Sequence, residues 1–154
     1  MYLLDTNVLS EMRKDSGKRL GRVQIDPRVQ AWIGSVPEGD LFLSVISILE
    51  VETGYLRLKR RDPRQANVLE LWLRQQVLPA FTGRILGIDL AIARRCAGLH
   101  IPNPMEHRDA FIAATALVHG LTVVTRNVRH FEQTGALTLN PWESQQRTPA
   151  DLLR

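Results

Sequence analysis

Three features of this sequence predict an α/β/α sandwich, three layers built around a central, mainly parallel sheet. Short apolar runs alternate with segments of helical spacing along the chain, the order that a parallel sheet covered on both faces requires. The runs are continuously apolar, as strands buried on both sides are. The length of 154 residues, with 44% hydrophobic and 23% charged residues, sets one soluble globular domain whose core needs neither disulfides nor a structural metal.

Each element follows from local pattern. Tyr2, Leu3 and Leu4 form a buried strand that runs into the polar Asp5-Thr6-Asn7, which places an acid at the strand's C-terminal end. Residues 13–26 are charged and contain Gly17 and Gly21, so they read as an exposed loop before a helix with Pro27 in its first turn. Residues 41–45 form a second strand, and from Ser47 helical spacing takes over through Leu49, Tyr55, Leu56 and Leu58. Arg60-Arg61-Asp62-Pro63 breaks that helix. Val68, Leu69, Leu71, Trp72 and Leu73 then give a second apolar stripe before Pro79, so the two helices form an antiparallel hairpin.

Residues 84–87 form a short strand, 89–99 a helix, and 100–107 a loop carrying Pro102 and Pro104. Asp109 opens an alanine-rich helix that reaches His119 and is stopped by Gly120. Residues 121–125 give the next clear strand, followed by a turn through Phe131 and Gly135 and a last short strand at 137–139. The domain spans residues 1–142, and 143–154 form a polar C-terminal tail laid over the surface.

The net charge of +4 and a sequence pI of about 9.8 point to an anionic partner, with nucleic acid the first candidate. Cys96 is the one cysteine, which excludes an intrachain disulfide and a cysteine-rich zinc site and fits a reducing compartment, the cytoplasm. Asp5 interrupts the N-terminus too early for a signal peptide, and the longest apolar stretch is about half of the roughly 20 residues that span a bilayer, so no membrane segment is expected.

Open parallel sheets bind ligands beyond the C-terminal strand ends, where strand order reverses. Asp5, Glu50 and Asp109 fall at such places. Each also has a structural explanation. Asp5 is placed to cap the helix that follows, Ser47-x-x-Glu50 has the form of a capping box, and Asp109 suits the positive end of a helix. Together at one sheet edge, however, the three carboxylates would repel unless a cation neutralised them. Magnesium takes oxygen ligands through a few carboxylates with the rest from water or substrate phosphate, and a carboxylate cluster within a basic rim suits phosphodiester hydrolysis.

Four segments carry a family resemblance: Leu3-Leu4-Asp5-Thr6-Asn7, the run 43–50 ending in Glu50, Arg108-Asp109-Ala110-Phe111-Ile112-Ala113-Ala114-Thr115-Ala116, and Thr122-Val123-Val124-Thr125-Arg126-Asn127. In this order and at this spacing the chain resembles the PIN-domain ribonucleases, and among them the VapC and FitB-like toxins, which also share Gly83-Arg84-Ile85-Leu86 and Asn140-Pro141-Trp142. The resemblance implies an endoribonuclease dependent on Mg2+ or Mn2+, held inactive by a VapB-like antitoxin, forming homodimers and meeting operator DNA only through the antitoxin complex. It implies that Asp5, Glu50 and Asp109 bind the metal and carry catalysis, that Thr6 and Thr125 stand beside the site, and that Asn7 has a structural role. Glu52 has no counterpart in the motif.

The chain departs from the strictest pattern at two places: Asn127 and His130 stand where some members carry aspartate. Asn127 offers an uncharged carbonyl oxygen, so one well-held metal is expected, with a second recruited by substrate phosphate at most. A lone histidine in a turn is more often solvated than functional. Arg126, next to the site, is the expected phosphate contact. Residues 57–64 carry the densest basic run, with Arg57, Lys59, Arg60, Arg61 and Arg64, and Arg13, Lys14, Lys18, Arg19 and Arg22 form a second. Such runs are commonly solvated, yet either suits an RNA backbone or an acidic antitoxin segment. Trp32, Trp72 and Trp142 read as core or interface residues, with Trp72 on a stripe suited to a groove or dimer contact.

Two other functions compete. A haloacid-dehalogenase phosphatase also begins with an aspartate after a strand but needs a second aspartate two residues on, where Asn7 stands, and is rejected. A catalytically weak, toxin-like subunit of a DNA-binding autorepressor complex is kept because of Asn127.

Overall fold

The computed structural model describes residues 1–16 and 24–143. In chain order these hold β1 (Tyr2–Leu4), α1 (Thr6–Ser16), α2 (Pro27–Ser35), β2 (Leu41–Ser44), α3 (Val45–Lys59), α4 (Pro63–Trp72), α5 (Leu78–Ala80), β3 (Ile85–Leu86), α6 (Leu90–Leu99), α7 (His107–His119), β4 (Thr122–Val124) and β5 (Thr138–Leu139). The five strands make one sheet in the order β3-β2-β1-β4-β5, with every pairing parallel. Leu3 lies opposite Phe42 on one side and Val123 on the other. From β1 the chain steps outward to β2 and β3, then returns to β4 and steps the other way. Strand order therefore reverses between β1 and β4, and the crevice expected in such sheets opens there.

Alternation along the strands divides the core in two. Leu4, Leu41, Leu43 and Val124 face a layer formed by Val8 and Leu9 of α1, Val29 and Trp32 of α2, Val51 and Tyr55 of α3, and Leu69 and Trp72 of α4. Leu3 and Val123 point the opposite way, onto Ile112, Ala113 and Ala116 of α7 and onto Phe131. Ala110 and Ala114, on the outer side of α7, meet Ile92 and Cys96 of α6. The small alanines let the two helices approach closely. Two apolar layers around one sheet are the three-layer sandwich the sequence predicts. Each fully buried leucine or valine contributes about 1.5–3 kcal/mol relative to exposure.

Several boundaries differ from expectation, each for a local reason. Residues 13–16 continue α1 instead of starting a loop, and Lys14 pairs with the buried Glu11 at 2.6 Å. Gly17, Lys18, Arg19, Gly21 and Arg22 lie outside the described residues, as does the tail beyond residue 143. Helix α3 starts at Val45, because the Ser44 hydroxyl accepts the Ile46 N–H at 3.1 Å and serves as its cap. Ser47 is then inside the helix, fully buried, its hydroxyl directed at the Leu4 carbonyl at 3.5 Å. The capping box with Glu50 does not form. Similarly Glu106 caps α7 by accepting the Arg108 and Asp109 N–H groups at 2.7 and 3.0 Å, which starts that helix two residues before Asp109. Gly120 ends it at φ 66°, a left-handed conformation that costs glycine little.

The hairpin of α3 and α4 is antiparallel as expected. Tyr55 donates to Glu70 at 3.0 Å while Glu52, nearer the start of α3, meets Arg74 further along the second arm at 3.8 Å. Trp72 is buried in the core, so it offers no dimer surface; Val68 and Leu71 are the exposed apolar residues of α4. The second arm also outlasts Trp72, passing through a π-helical turn at Leu73–Val77 into α5, whose second residue is Pro79. Arg84 closes this region by donating to the carbonyls of Glu38, Leu41 and Ala80 while stacking on Phe81. Among the described residues no helix is long and apolar enough to cross a membrane.

Candidate active site

The backbone N–H of Asp5 donates to the Val124 carbonyl at 3.0 Å, extending the β1–β4 ladder one residue and fixing the acid at the reversal point. Its carboxylate is 7% exposed and well supplied with donors. Oδ1 accepts the Thr6 N–H at 2.7 Å, and Oδ2 accepts the Thr125 hydroxyl at 2.7 Å and the Asn7 amide at 3.0 Å. Burial nevertheless pushes the Asp5 pKa up, opposed by the bonds from Thr125 and Thr6 and reinforced by the charge of Asp109.

Asn7 ties the two strand ends together. Its amide also reaches Thr125 Oγ1 at 3.1 Å, and its carbonyl accepts the Arg126 N–H at 3.2 Å. Thr125 in turn accepts the Asn127 N–H at 3.0 Å. Thr125 is fully buried and acts on Asp5 from behind. The Arg126 side chain turns away, stacking on Trp142 at 4.3 Å and lying 3.9 Å from Glu11.

Glu50 projects from the second turn of α3 and is half-buried. Burial raises its pKa first and the Asp5 charge second, while Thr6 and Arg108 pull it down. Asp109 comes from the first turn of α7, relieved of capping by Glu106, and its Oδ2 meets His130 Nδ1 at 2.9 Å. These residues open onto one cleft of about 530 Å³. Asp5, Thr6, Asn7, Glu50, Asp109 and Asn127 line it as the sequence placed them, and Ser10, Glu106, Arg108 and His130 complete it.

His130, weighed in the sequence as a solvated side chain, thus faces the site. Arg108, whose only sequence signal is adjacency to Asp109 in a first helical turn, supplies positive charge to the cleft. Arg126 and Thr125 are not among the lining residues. Glu52, given no role, pairs with Arg74. His100 and His107 stack on each other at 4.7 Å, apart from the cleft.

The donor chemistry is that of a hard divalent cation: three carboxylates, an amide carbonyl and hydroxyls. The buried Thr6 Oγ1 has no hydrogen-bond partner of normal geometry, although it lies close enough to Glu50 to lower that carboxyl's pKa. Among the described residues no three acidic, imidazole or thiol groups stand close enough to grip an ion directly.

The family model described as PIN domain matches residues 2–137. The chain belongs to that family. This PIN domain is 38% identical over 148 residues to Toxin FitB of Neisseria gonorrhoeae (strain ATCC 700825 / FA 1090), covering 92% of this chain and 99% of FitB. It is 35% identical over 148 residues to VapC ribonuclease Y4jK of Sinorhizobium fredii (strain NBRC 101917 / NGR234), covering 93% and 99% of the two chains. Among solved structures, FitAB bound to a DNA fragment superposes with a TM-score of 0.82 at 34% identity, covering 96% of this PIN domain and 100% of that chain.

Proposed function

We propose that this PIN domain is the toxin of a type II toxin–antitoxin pair, an endoribonuclease that hydrolyses RNA phosphodiester bonds with Mg2+ or Mn2+. The observation that carries this reading is the meeting of Asp5, Glu50 and Asp109, from three distant parts of the chain, in one cleft at the reversal of strand order. The likeness to a protein named VapC ribonuclease supports the reaction, and the likeness to FitB supports the toxin role.

Asp5, Glu50 and Asp109 would hold the ion, with the Asn127 carbonyl as a neutral addition. When bound, such an ion supplies Lewis acidity toward water and toward the phosphate oxygens. Thr125, Thr6 and Asn7 keep Asp5 oriented. Arg108 offers a fixed positive charge to substrate phosphate at the rim. Glu50, with its raised pKa and its partial exposure, is the carboxylate best placed to accept a proton from attacking water. Arg126 is assigned to the scaffold, since its guanidinium is engaged by Trp142 and Glu11.

The chain would act in the cytoplasm as a homodimer held by a VapB-like antitoxin and reach operator DNA only within that complex. The relative solved as FitAB bound to DNA supports that assembly and also the second reading, a catalytically weak subunit of a repressor, which the uncharged Asn127 favours. One experiment separates them. The isolated protein is expected to cleave structured RNA in Mg2+ or Mn2+, to stop on adding EDTA, and to lose at least about 100-fold in rate in Asp5→Asn with its circular dichroism intact. Cleavage equal in Asp5→Asn and wild type overturns the nuclease reading, whereas no cleavage with tight operator binding beside a partner establishes the repressor subunit.

A further inference from the structure

We propose that the flank of α3 that carries Glu50 is a track for the RNA backbone, along which Arg57 and Arg61 hold phosphates on one side of the cleft. The proposal rests on the nuclease reading of the site. At about 100° per residue, Gly54 and Arg57 lie within about 40° of Glu50 around the axis of α3, and Arg61 follows in the exposed turn after the helix ends at Lys59. From the cleft outward this flank therefore presents an acid, a glycine and an arginine, with a second arginine in the turn beyond. Gly54, Arg57 and Arg61 are all exposed, and nothing lies within 4 Å of where a Cβ on Gly54 would stand. The flank is thus bare between the acid and the cations.

Arg57 lies about 10 Å from Glu50 along the axis at 1.5 Å per residue, and Arg61 stands four residues further along the chain, in the turn that leads to α4. Among the described residues Arg57, Arg60 and Arg61 enter no ion pair, while Glu52 on the other side of α3 meets Arg74, and Glu70 of α4 is occupied by Arg74 and Tyr55. Asp62, the one acid in the turn, spends its side chain capping α4 through the Gln65 N–H at 3.1 Å. The apolar residues Val45, Leu49 and Leu56 fall on a different exposed side of the helix, so the cationic flank is not part of that apolar stripe.

Unpaired cations on an exposed helix flank complement a polyanion, and their line with Glu50 selects the substrate over an acidic protein partner. Phosphate contacts of this kind add affinity and register without reading sequence.

The test is binding of a fluorescent single-stranded RNA 12-mer and of a 3-mer to the full chain in EDTA, together with cleavage kinetics in Mg2+. Arg57→Gln/Arg61→Gln is expected to weaken 12-mer binding at least tenfold at low salt and to reduce the slope of log K against log salt by about 1.4, the loss of two single-strand phosphate contacts. The 3-mer is expected to bind as it does to wild type. KM for a long substrate should rise with kcat within twofold. Arg94→Gln/Arg95→Gln, on the exposed side of α6, removes the same charge and should change none of these. Equal behaviour of the two double variants overturns the track, as does a loss seen only with an acidic protein partner. Since binding is read without turnover, RNA held along α3 but never cleaved keeps the track and defeats the nuclease reading. Unaltered binding by the variant with cleavage intact does the reverse.

Discussion

Glu50 carries an electrostatic strain that can be measured without any substrate. Its folded-state pKa lies above the ordinary carboxylate value because of burial and the neighbouring Asp5 charge. A raised folded pKa means that the native protein binds this proton more tightly than the unfolded chain does. The ionised group then costs stability above the folded pKa, and the cost disappears as pH falls below the ordinary value. Glu50→Gln removes the charge while keeping a group of the same shape. It is expected to raise the melting temperature of the metal-free protein at pH 7. The gain should fade as pH falls through the ordinary carboxylate range. A constant gain across pH in thermal melts would mean that the effect is packing and not charge. Asp26 has the opposite sign: Arg28 hydrogen bonds hold its pKa down at about 2, so whatever it contributes is present above the ordinary carboxylate range and is lost progressively as pH falls from there through about 2.

At the scale of elements, the junction between β2 and α3 decides where Glu50 stands. Ser44 is fully buried and caps α3, so Ser44→Ala leaves the Ile46 N–H without its partner. The expected cost is about 1–2 kcal/mol, read as a fall in denaturation midpoint with unchanged m-value. This junction also shows what the sequence could and could not reveal. The order of strands and helices, the break after α3 at Arg60-Arg61-Asp62-Pro63 and the Gly120 stop of α7 were legible because each depends on a local rule. The role of Ser47 was not. Its spacing to Glu50 has the form of a capping box, and only the tertiary contact with Leu4 shows that Ser44 caps the helix instead. The placement of the Arg126 and His130 side chains was not legible for the same reason. Proximity in sequence favoured Arg126, but Trp142 and Glu11 draw it away, while His130 comes to Asp109 from a turn 21 residues along the chain. The three acids were legible because strand ends mark the site edge of a parallel sheet. Their distances from one another were not.

For the whole molecule, the balance between a basic chain and an acidic cleft makes metal and stability interdependent. A divalent ion that binds only the folded state stabilises it by RT ln(1 + [L]/Kd). Adding Mg2+ or Mn2+ at about 100 times its Kd should therefore raise the melting temperature of wild type by about 5–11 °C, taking about 2–4 °C per kcal/mol for a chain of this size. The shift should vanish in the double variant Asp5→Asn/Asp109→Asn. An equal shift in that variant would place the ion elsewhere.

The position of β1 at the centre of the sheet has a consequence for how the molecule comes into being. Residues 2–4 precede every other strand, yet one of their two neighbours, β4, lies at residues 122–124. A ribosome that has delivered the first hundred residues has supplied Asp5 and Glu50 but neither Asp109 nor the strand and hydroxyl that hold Asp5 in place. Pairings of such long sequence separation form late and slowly. A chain that stops short of residue 109 consequently has no complete cleft, and the time between synthesis of Asp5 and closure of its surroundings is set by the slowest of these pairings.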